Sequence, residues 1–201
     1  MTQAKPRFRS IEDYLNYDNG TDRRYELVNG ELVELPTEST INTQIAIFLI
    51  AAFLQAGLPY FRLGIKQQIA VSSREVTVRE PDLIVHSEAS AAAIAGQKQA
   101  LLTVDMPAPL IAIEVVSSGE PGTENYNRDY IDKRREYGLR GIPEYWIIDP
   151  SRGMITVLTW RETEYREIGQ FRGSQSVISL AFPVDLKAEQ ILSAGQSSSD
   201  L

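Results

Sequence analysis

The run Leu110-Ile111-Ala112-Ile113-Glu114-Val115-Val116 constrains this chain more than any other segment. All of its residues but one are apolar, which marks a strand buried on both faces, and the exception is a carboxylate. An ionised carboxylate left alone in an apolar interior is strongly destabilising, so Glu114 must be paired, protonated or bound to a metal. Upstream, Pro81-Asp82-Leu83-Ile84-Val85 repeats the theme with an acid at the mouth of another apolar strand. Asp82 begins its strand and Glu114 lies near the end of its own, so an antiparallel pairing would bring both to one end of a sheet. Two such acids and a neighbouring backbone carbonyl are the donors that a hard cation such as Mg²⁺ takes beside waters and phosphate oxygens. Taken alone, Asp82 also reads as a turn or capping residue after Pro81.

The 201 residues suit a single domain spanning 1–201, large enough to bury roughly 70% of the unfolded chain's surface. The longest apolar stretch, Ile45 to Leu54, falls short of the ~20 residues that a membrane span requires. Met1-Thr2-Gln3-Ala4-Lys5-Pro6 lacks the apolar core of a signal peptide, and the expectation is a cytoplasmic chain with no membrane partner. There is no cysteine, which excludes disulfides, thiolate nucleophiles and cysteine-ligated zinc. The one histidine, His86, cannot build a histidine-rich zinc site, and a lone strand histidine is more often structural than a base. Neither a G-x-S-x-G elbow nor a P-loop is present. Chemistry is therefore left to carboxylates and lysine, with or without a bound metal. The formal charge of -7 opposes broad attraction to nucleic acid, although Arg128, Lys133, Arg134, Arg135 and Arg140 cluster in sequence as a local basic patch.

Along the chain, Ser10 with Asp13 three residues on predicts a short capped helix. Alternation from Tyr25 to Leu35 around Asn29-Gly30 predicts a hairpin. Ile41, Ile45, Phe48, Leu49 and Phe53 recur at helical spacing within 40–55, ended by Gly57-Leu58-Pro59. Strands are expected at about 62–71 and 82–86, a short helix at 90–95, the buried strand at 110–116, a charged helix at 127–139 and a strand at 144–149. The last three form a β-α-β unit whose strands should run parallel. Further strands are expected at 154–160, 164–168 and 177–180, a helical turn at 188–192, and fraying from about 195 to 201.

The charged helix supplies a third candidate. Tyr126, Tyr130 and Tyr137 form a stripe at i, i+4 and i+11, and Lys133 interrupts it. The plainer alternatives for Lys133 are snorkelling and an ordinary helix ion pair with Asp129 four residues before it. Arg134 and Arg135 suit either a solvated face or contact with phosphate. Glu26 either points inward from the hairpin or lies with Glu31 and Glu34 on a wet face. The glycine-bearing segment 117–122 resembles a phosphate loop in composition only, and Tyr145 and Trp146 read as core.

The order of elements, with P-D on one strand, E-x-V on the next and a lysine-bearing helix after it, resembles the PD-(D/E)XK nuclease superfamily. Its core is α-β-β-β-α-β, a mixed α/β arrangement, here with an N-terminal β-hairpin and C-terminal antiparallel strands. Tyr25-Glu26-Leu27-Val28-Asn29-Gly30-Glu31-Leu32, Pro81-Asp82-Leu83-Ile84-Val85, Ile113-Glu114-Val115-Val116-Ser117, Asp129 to Tyr137 and Gly141-Ile142-Pro143-Glu144-Tyr145-Trp146-Ile147-Ile148-Asp149-Pro150 are together similar to the bacterial Uma-two family of restriction-endonuclease-like proteins. These motifs span about 25–150. The resemblance implies that Asp82 and Glu114 bind a divalent metal, Mg²⁺ or Mn²⁺ in its place, helped by the carbonyl of Val115, with Glu26 as an additional acid. The superfamily's signature lysine would stand at Val116, so the resemblance places that role on Lys133 of the following helix. The implied activity is metal-dependent hydrolysis of DNA phosphodiester bonds, with RNA open as a substrate and a homodimer compatible with double-strand cutting. The alternative is an inactive nuclease fold that binds protein or nucleic acid.

Overall fold

Two short antiparallel strands set the position of everything functional in this protein. The computed structural model describes residues 6–18, 20, 23–35, 37, 39–117 and 119–194, and the tail expected to fray lies outside them. Strand β6 (Leu83–Val85) pairs antiparallel with β8 (Ile111–Val115), with Leu83 opposite Ile113. One further step along that register places Asp82 across from Glu114.

These strands lie inside a six-stranded sheet of order β11-β10-β9-β8-β6-β3, formed with β3 (Leu63–Gly64), β9 (Glu144–Asp149), β10 (Met154–Arg161) and β11 (Glu164–Phe171). As the sequence implies, β8 and β9 run parallel, joined by the crossover helix, and the strands on either side are antiparallel. A second, five-stranded sheet has the order β2-β1-β5-β4-β7. It contains the hairpin β1 (Tyr25–Val28) and β2 (Glu31–Glu34), then β4 (Gln68–Val71), β5 (Thr77–Arg79) and β7 (Leu101–Leu102). Asn29 and Gly30 at the hairpin tip both have positive φ, as a two-residue turn of this hand requires.

Side chains alternate across the central sheet. Ile111, Ile113 and Val115 face a core with Leu83, Val85 and Trp146, closed by Ile45, Leu49 and Phe53 of α2 (Thr40–Gln55) and by Ile191 of α6 (Ala188–Ser193). Ala112 and Val116 face the other way, into a core with Ile69, Tyr137 and Tyr145. Glu114 shares that second face by its phase, and the crossover helix supplies its partners. The remaining short helices are α1 (Ile11–Leu15), capped by Ser10 as expected, and α3 (Glu88–Ile94).

Besides the unexpected short strands β5 and β7, the structure departs from the sequence expectations in three places. The strand expected at 62–71 is a 3₁₀ turn at Tyr60–Arg62 followed by β3 and β4, which belong to different sheets. The charged helix begins earlier and has three parts: α4 (Glu124–Asn127), a π-turn at Arg128–Asp132, and α5 (Lys133–Leu139). The segment expected as a strand at 177–180 is not one. Its backbone is claimed by a buried carboxylate: Glu144 accepts hydrogen bonds from the Leu180 N–H at 2.7 Å, the Ala181 N–H at 3.1 Å, the Ser179 hydroxyl at 2.6 Å and the Trp146 indole at 2.6 Å. Donors so engaged cannot join a strand ladder.

Removing that carboxylate leaves several buried donors without an acceptor. Glu144→Ala is expected to lower the unfolding free energy by about 3 kcal/mol or more in urea titrations, whereas Glu167→Ala on exposed β11 should change it by less than about 0.5 kcal/mol.

Candidate active site

A buried ammonium organises the site. Lys133, 4% exposed, directs Nζ to Glu114 Oε2 at 2.9 Å, Glu26 Oε1 at 3.3 Å and Asp129 Oδ1 at 3.4 Å. The π-turn makes this convergence possible: the Lys133 N–H bonds the carbonyl of Arg128, five residues back. The widened turn changes the phase of the helix there, a feature that recurs at functional sites. Asp129 and Lys133 both turn inward, while Tyr126 and Tyr130 stack on each other at 4.4 Å and the Tyr130 hydroxyl donates to Asp149 at 2.8 Å. The expected tyrosine stripe is therefore divided. Only Tyr137, one turn beyond Lys133, reaches the site, donating its hydroxyl to Glu114 Oε1 at 2.7 Å.

Asp82 approaches from the opposite strand, and its Oδ2 accepts the Val115 N–H at 2.6 Å. The carbonyl of Val115 accepts from Asn42 Nδ2 at 2.7 Å. Asp82, Glu114, Val115, Asp129 and Lys133 line one cleft of about 150 Å³ that also takes in Arg24, Asn42 and Arg128. The structure thus brings Asp82, Glu114, Lys133 and the Val115 carbonyl together. Glu26 is 1% exposed and points inward, but it sits behind the cleft, clamped by Arg79 at 2.9 Å and by the Glu80 N–H at 3.1 Å.

Charge explains how these groups share one interior. Burial alone would raise the Glu26 carboxyl, but Lys133, Arg79 and the Glu80 N–H together outweigh it and hold the group at about 2. Burial pushes the Glu114 carboxyl the other way, to about 8; Lys133 opposes this, and Asp82, Asp129 and Glu26 add to it. Burial would likewise deprotonate Lys133, yet Glu114, Glu26 and Asp129 raise it above the ordinary lysine range. The neighbourhood contains six carboxylates, Glu26, Glu80, Asp82, Glu114, Asp129 and Glu136, against four cations, Arg24, Arg79, Arg128 and Lys133. That excess of acid, with Glu114 carrying a proton near neutral pH that a bound cation would displace, in a cleft lined by hard oxygen donors, fits a divalent cation. Among the described residues no three His, Asp or Glu side chains converge to enclose a metal by themselves. The fitting arrangement is therefore two carboxylates and one carbonyl, with the remaining positions left to solvent and substrate oxygens.

Several participants escaped sequence reasoning. Arg79 is 2% exposed and joins Glu26 to Glu136, which it meets at 2.7 Å. A charge between the apolar Val78 and the strand end was the available signal. Asp129 is a buried member of the cluster and takes Arg128 at 2.9 Å, rather than forming a surface helix pair. The basic residues do not form the expected patch. Lys133 and Arg128 face the cleft, Arg134 donates to the carbonyl of Tyr165, and Arg140 donates to those of Thr103 and Met106. His86 is structural as expected: its ring nitrogens meet Ser90 Oγ at 3.0 Å and Gln67 Oε1 at 2.6 Å, and burial with Arg62 nearby lowers it to about 4. The segment after Val116 lies against Arg152, which donates to the Gly119 carbonyl at 2.5 Å, so its glycine is bound to protein.

The sequence profile of the Uma2 (Uma-two) family, described as "Putative restriction endonuclease", matches residues 11–193. The chain belongs to the Uma2 family. No curated protein matches it significantly. Among solved structures it is similar to one described as a "putative nuclease belonging to DUF820" from Anabaena variabilis, with a TM-score of 0.66 and 15% identity over 92% of this chain and 97% of that one. At that identity the likeness establishes a shared fold, and it bears out the mixed α/β, nuclease-like architecture expected from the motifs. Among the described residues of this Uma2 member, no helix is long and apolar enough to cross a membrane.

Because its folded value is depressed, Glu26 contributes stability above about pH 4.5 that is lost as pH falls toward 2. Urea titrations should show the native protein losing about 3 kcal/mol more across that window than Glu26→Gln, whose amide does not titrate.

Proposed function

We propose that this Uma2 member is a metal-dependent endonuclease that hydrolyses DNA phosphodiester bonds at the Asp82–Glu114–Lys133 cleft. The observation that carries the reading is Lys133: a fully buried ammonium, ringed by carboxylates, opposite a second acid held by the backbone of Val115. A structural ion pair needs no such excess of acid, and no cleft beside it.

Asp82, Glu114 and the Val115 carbonyl are the groups that would hold Mg²⁺ or Mn²⁺. When bound, the cation supplies Lewis acidity and neutralises charge on the phosphoryl oxygens. Lys133 stays protonated among its acids, so it serves as a fixed hydrogen-bond donor and positive charge, not as a general base. Its role is to orient an attacking water or to stabilise charge developing on phosphorus oxygens. Tyr137 and Lys133 engage both oxygens of Glu114 and fix the plane of its carboxylate, and the Val115 N–H does the same for Asp82. Glu26 acts through Lys133: with Arg79 behind it, it holds the ammonium at the cleft wall.

A cytoplasmic location suits a DNA substrate, and a homodimer would be required only for cutting both strands of a duplex. The alternative reading, a binding module without catalysis, draws on Val116 at the place of the signature lysine and on the chain's acidity.

Supercoiled and linear DNA, with an RNA strand in parallel, should be incubated with Mg²⁺ or Mn²⁺. The native protein is expected to cleave DNA, with Asp82→Asn, Glu114→Gln and Lys133→Met each reduced by roughly 100-fold or more. Cleavage equal in native and variant proteins, or none with either metal, would favour the binding module; cleavage of RNA alone would redirect the substrate assignment.

A further inference from the structure

The cleft is one end of a longer depression. Beside it lies a cavity of about 430 Å³ whose walls include Tyr14, Tyr17, Tyr25, Arg23, Arg24 and Lys66. Arg24 borders this cavity, the Asp82–Glu114–Lys133 cleft and a third, mainly apolar hollow between them that also touches Lys66 and Asp82. The three hollows adjoin around Arg24, and the trench is their sum.

The chemistry of the trench differs from that of the surface around it. On a chain of charge -7, the tyrosine-lined cavity is bordered by Arg23, Arg24 and Lys66 together with Asp18 and Glu80; Arg23 is paired at the surface with Glu34 at 2.8 Å, and Lys66 has no ion-pair partner among the described residues. Glu80, nearly buried, is ion-paired to Arg24, so that pair adds no net charge and the unpaired cation an incoming anion meets is Lys66. Tyr17 is 40% exposed and meets Phe8 in an edge-to-face contact at 5.1 Å.

Lys66 is placed there at a cost. It is one of few non-glycine residues with positive φ, +54°, a conformation disfavoured by about 1 kcal/mol or more and retained where the surroundings enforce it. Those surroundings are visible. The next residue, Gln67, is held by the imidazole of His86, and Gly64 leaves no room for a side chain between Gln67 and His86. The buried histidine that catalysis does not use thus anchors the turn that directs Lys66 to the trench.

We infer that this trench is the path of a single DNA strand. Lys66 and Arg24 contact backbone phosphates beyond the one at the cleft, and an unpaired base lies against Tyr17. The inference rests on the proposed nuclease function for its direction, from Tyr17 toward Lys133. A basic groove interleaved with aromatic faces is how proteins hold unpaired strands, because stacking reaches only bases that have left the duplex. A duplex keeps its bases paired and gains nothing from Tyr17. The substrate is therefore single-stranded or locally unpaired DNA.

The test is binding without metal, so that it does not depend on cleavage. A short dye-labelled single strand, the same strand with abasic positions, and its duplex are titrated by fluorescence anisotropy against native protein, Tyr17→Ala and Lys66→Ala. Native protein should bind the intact strand roughly 5-fold or more tighter than the abasic strand or the duplex, and Tyr17→Ala should lose that preference. Lys66→Ala should flatten the slope of log affinity against log salt by about 0.7, the loss of one phosphate contact on a single strand. Variants that bind like native protein, tighter binding of the duplex, or no binding of any strand would overturn the trench. Cleavage of the same single strand with Mg²⁺ separates the two readings. Cleavage alongside unaltered strand binding in both variants would overturn the trench and keep the nuclease; variant-sensitive strand binding without any cleavage would do the reverse.

Discussion

The rest of the site depends on the ammonium of Lys133. In a low-dielectric interior three acids around one lysine hold together only while that charge is present, and removing one member of such a cluster leaves the others unpaired at a cost of about 3–5 kcal/mol. Glu114 can therefore occupy the middle of an apolar strand only because the crossover helix delivers Lys133 and Tyr137 to the same face. Glu26 and Arg79 extend the network into the second sheet, and Glu136 returns it to the helix. One chain of ion pairs thus ties both sheets and the crossover helix to the wall of the cleft.

That chain separates groups that support from groups that face the opening. Glu26 is acid enough to remain ionised at any ordinary pH, and it is shielded behind the wall, where it fixes the lysine. Asp82 and Glu114 face the opening across a single register step between antiparallel strands. The strand ends supply rigidity, and the helix supplies charge. This division, with reactive groups on regular elements supported by a buried second layer, is what a site requires if its geometry is to survive substrate binding.

Much of this was legible in the sequence because it follows from simple periodicities. A carboxylate in a two-sided apolar strand has no bland explanation, and an antiparallel pairing of the two strands, which the structure shows, would put Asp82 beside Glu114. Lys133 stood out because it broke an aromatic stripe. The π-turn was not legible: it arises from the fit between the helix and the sheet beneath it, and no residue type encodes it. The ion pair expected between Asp129 and Lys133 is present, but both partners are buried in the cluster. Arg79 was missed because the sequence suggested no strand at 77–79, where the structure has β5 in the second sheet. The 62–71 segment failed differently, since strand propensity does not tell which of two sheets a strand will join. At 177–180 a single buried acid, Glu144, diverted the backbone from the ladder its sequence suggests.

The central claim is that Asp82, Glu114 and the Val115 carbonyl hold a divalent cation beside a charged Lys133. Crystals soaked in Mn²⁺ and measured at the manganese absorption edge test it directly. The account predicts an anomalous peak between the two carboxylates and within coordinating distance of the Val115 carbonyl, with Lys133 still bonded to Glu114. A peak elsewhere on the molecule, or no peak while Asp82 and Glu114 are well ordered, would contradict it.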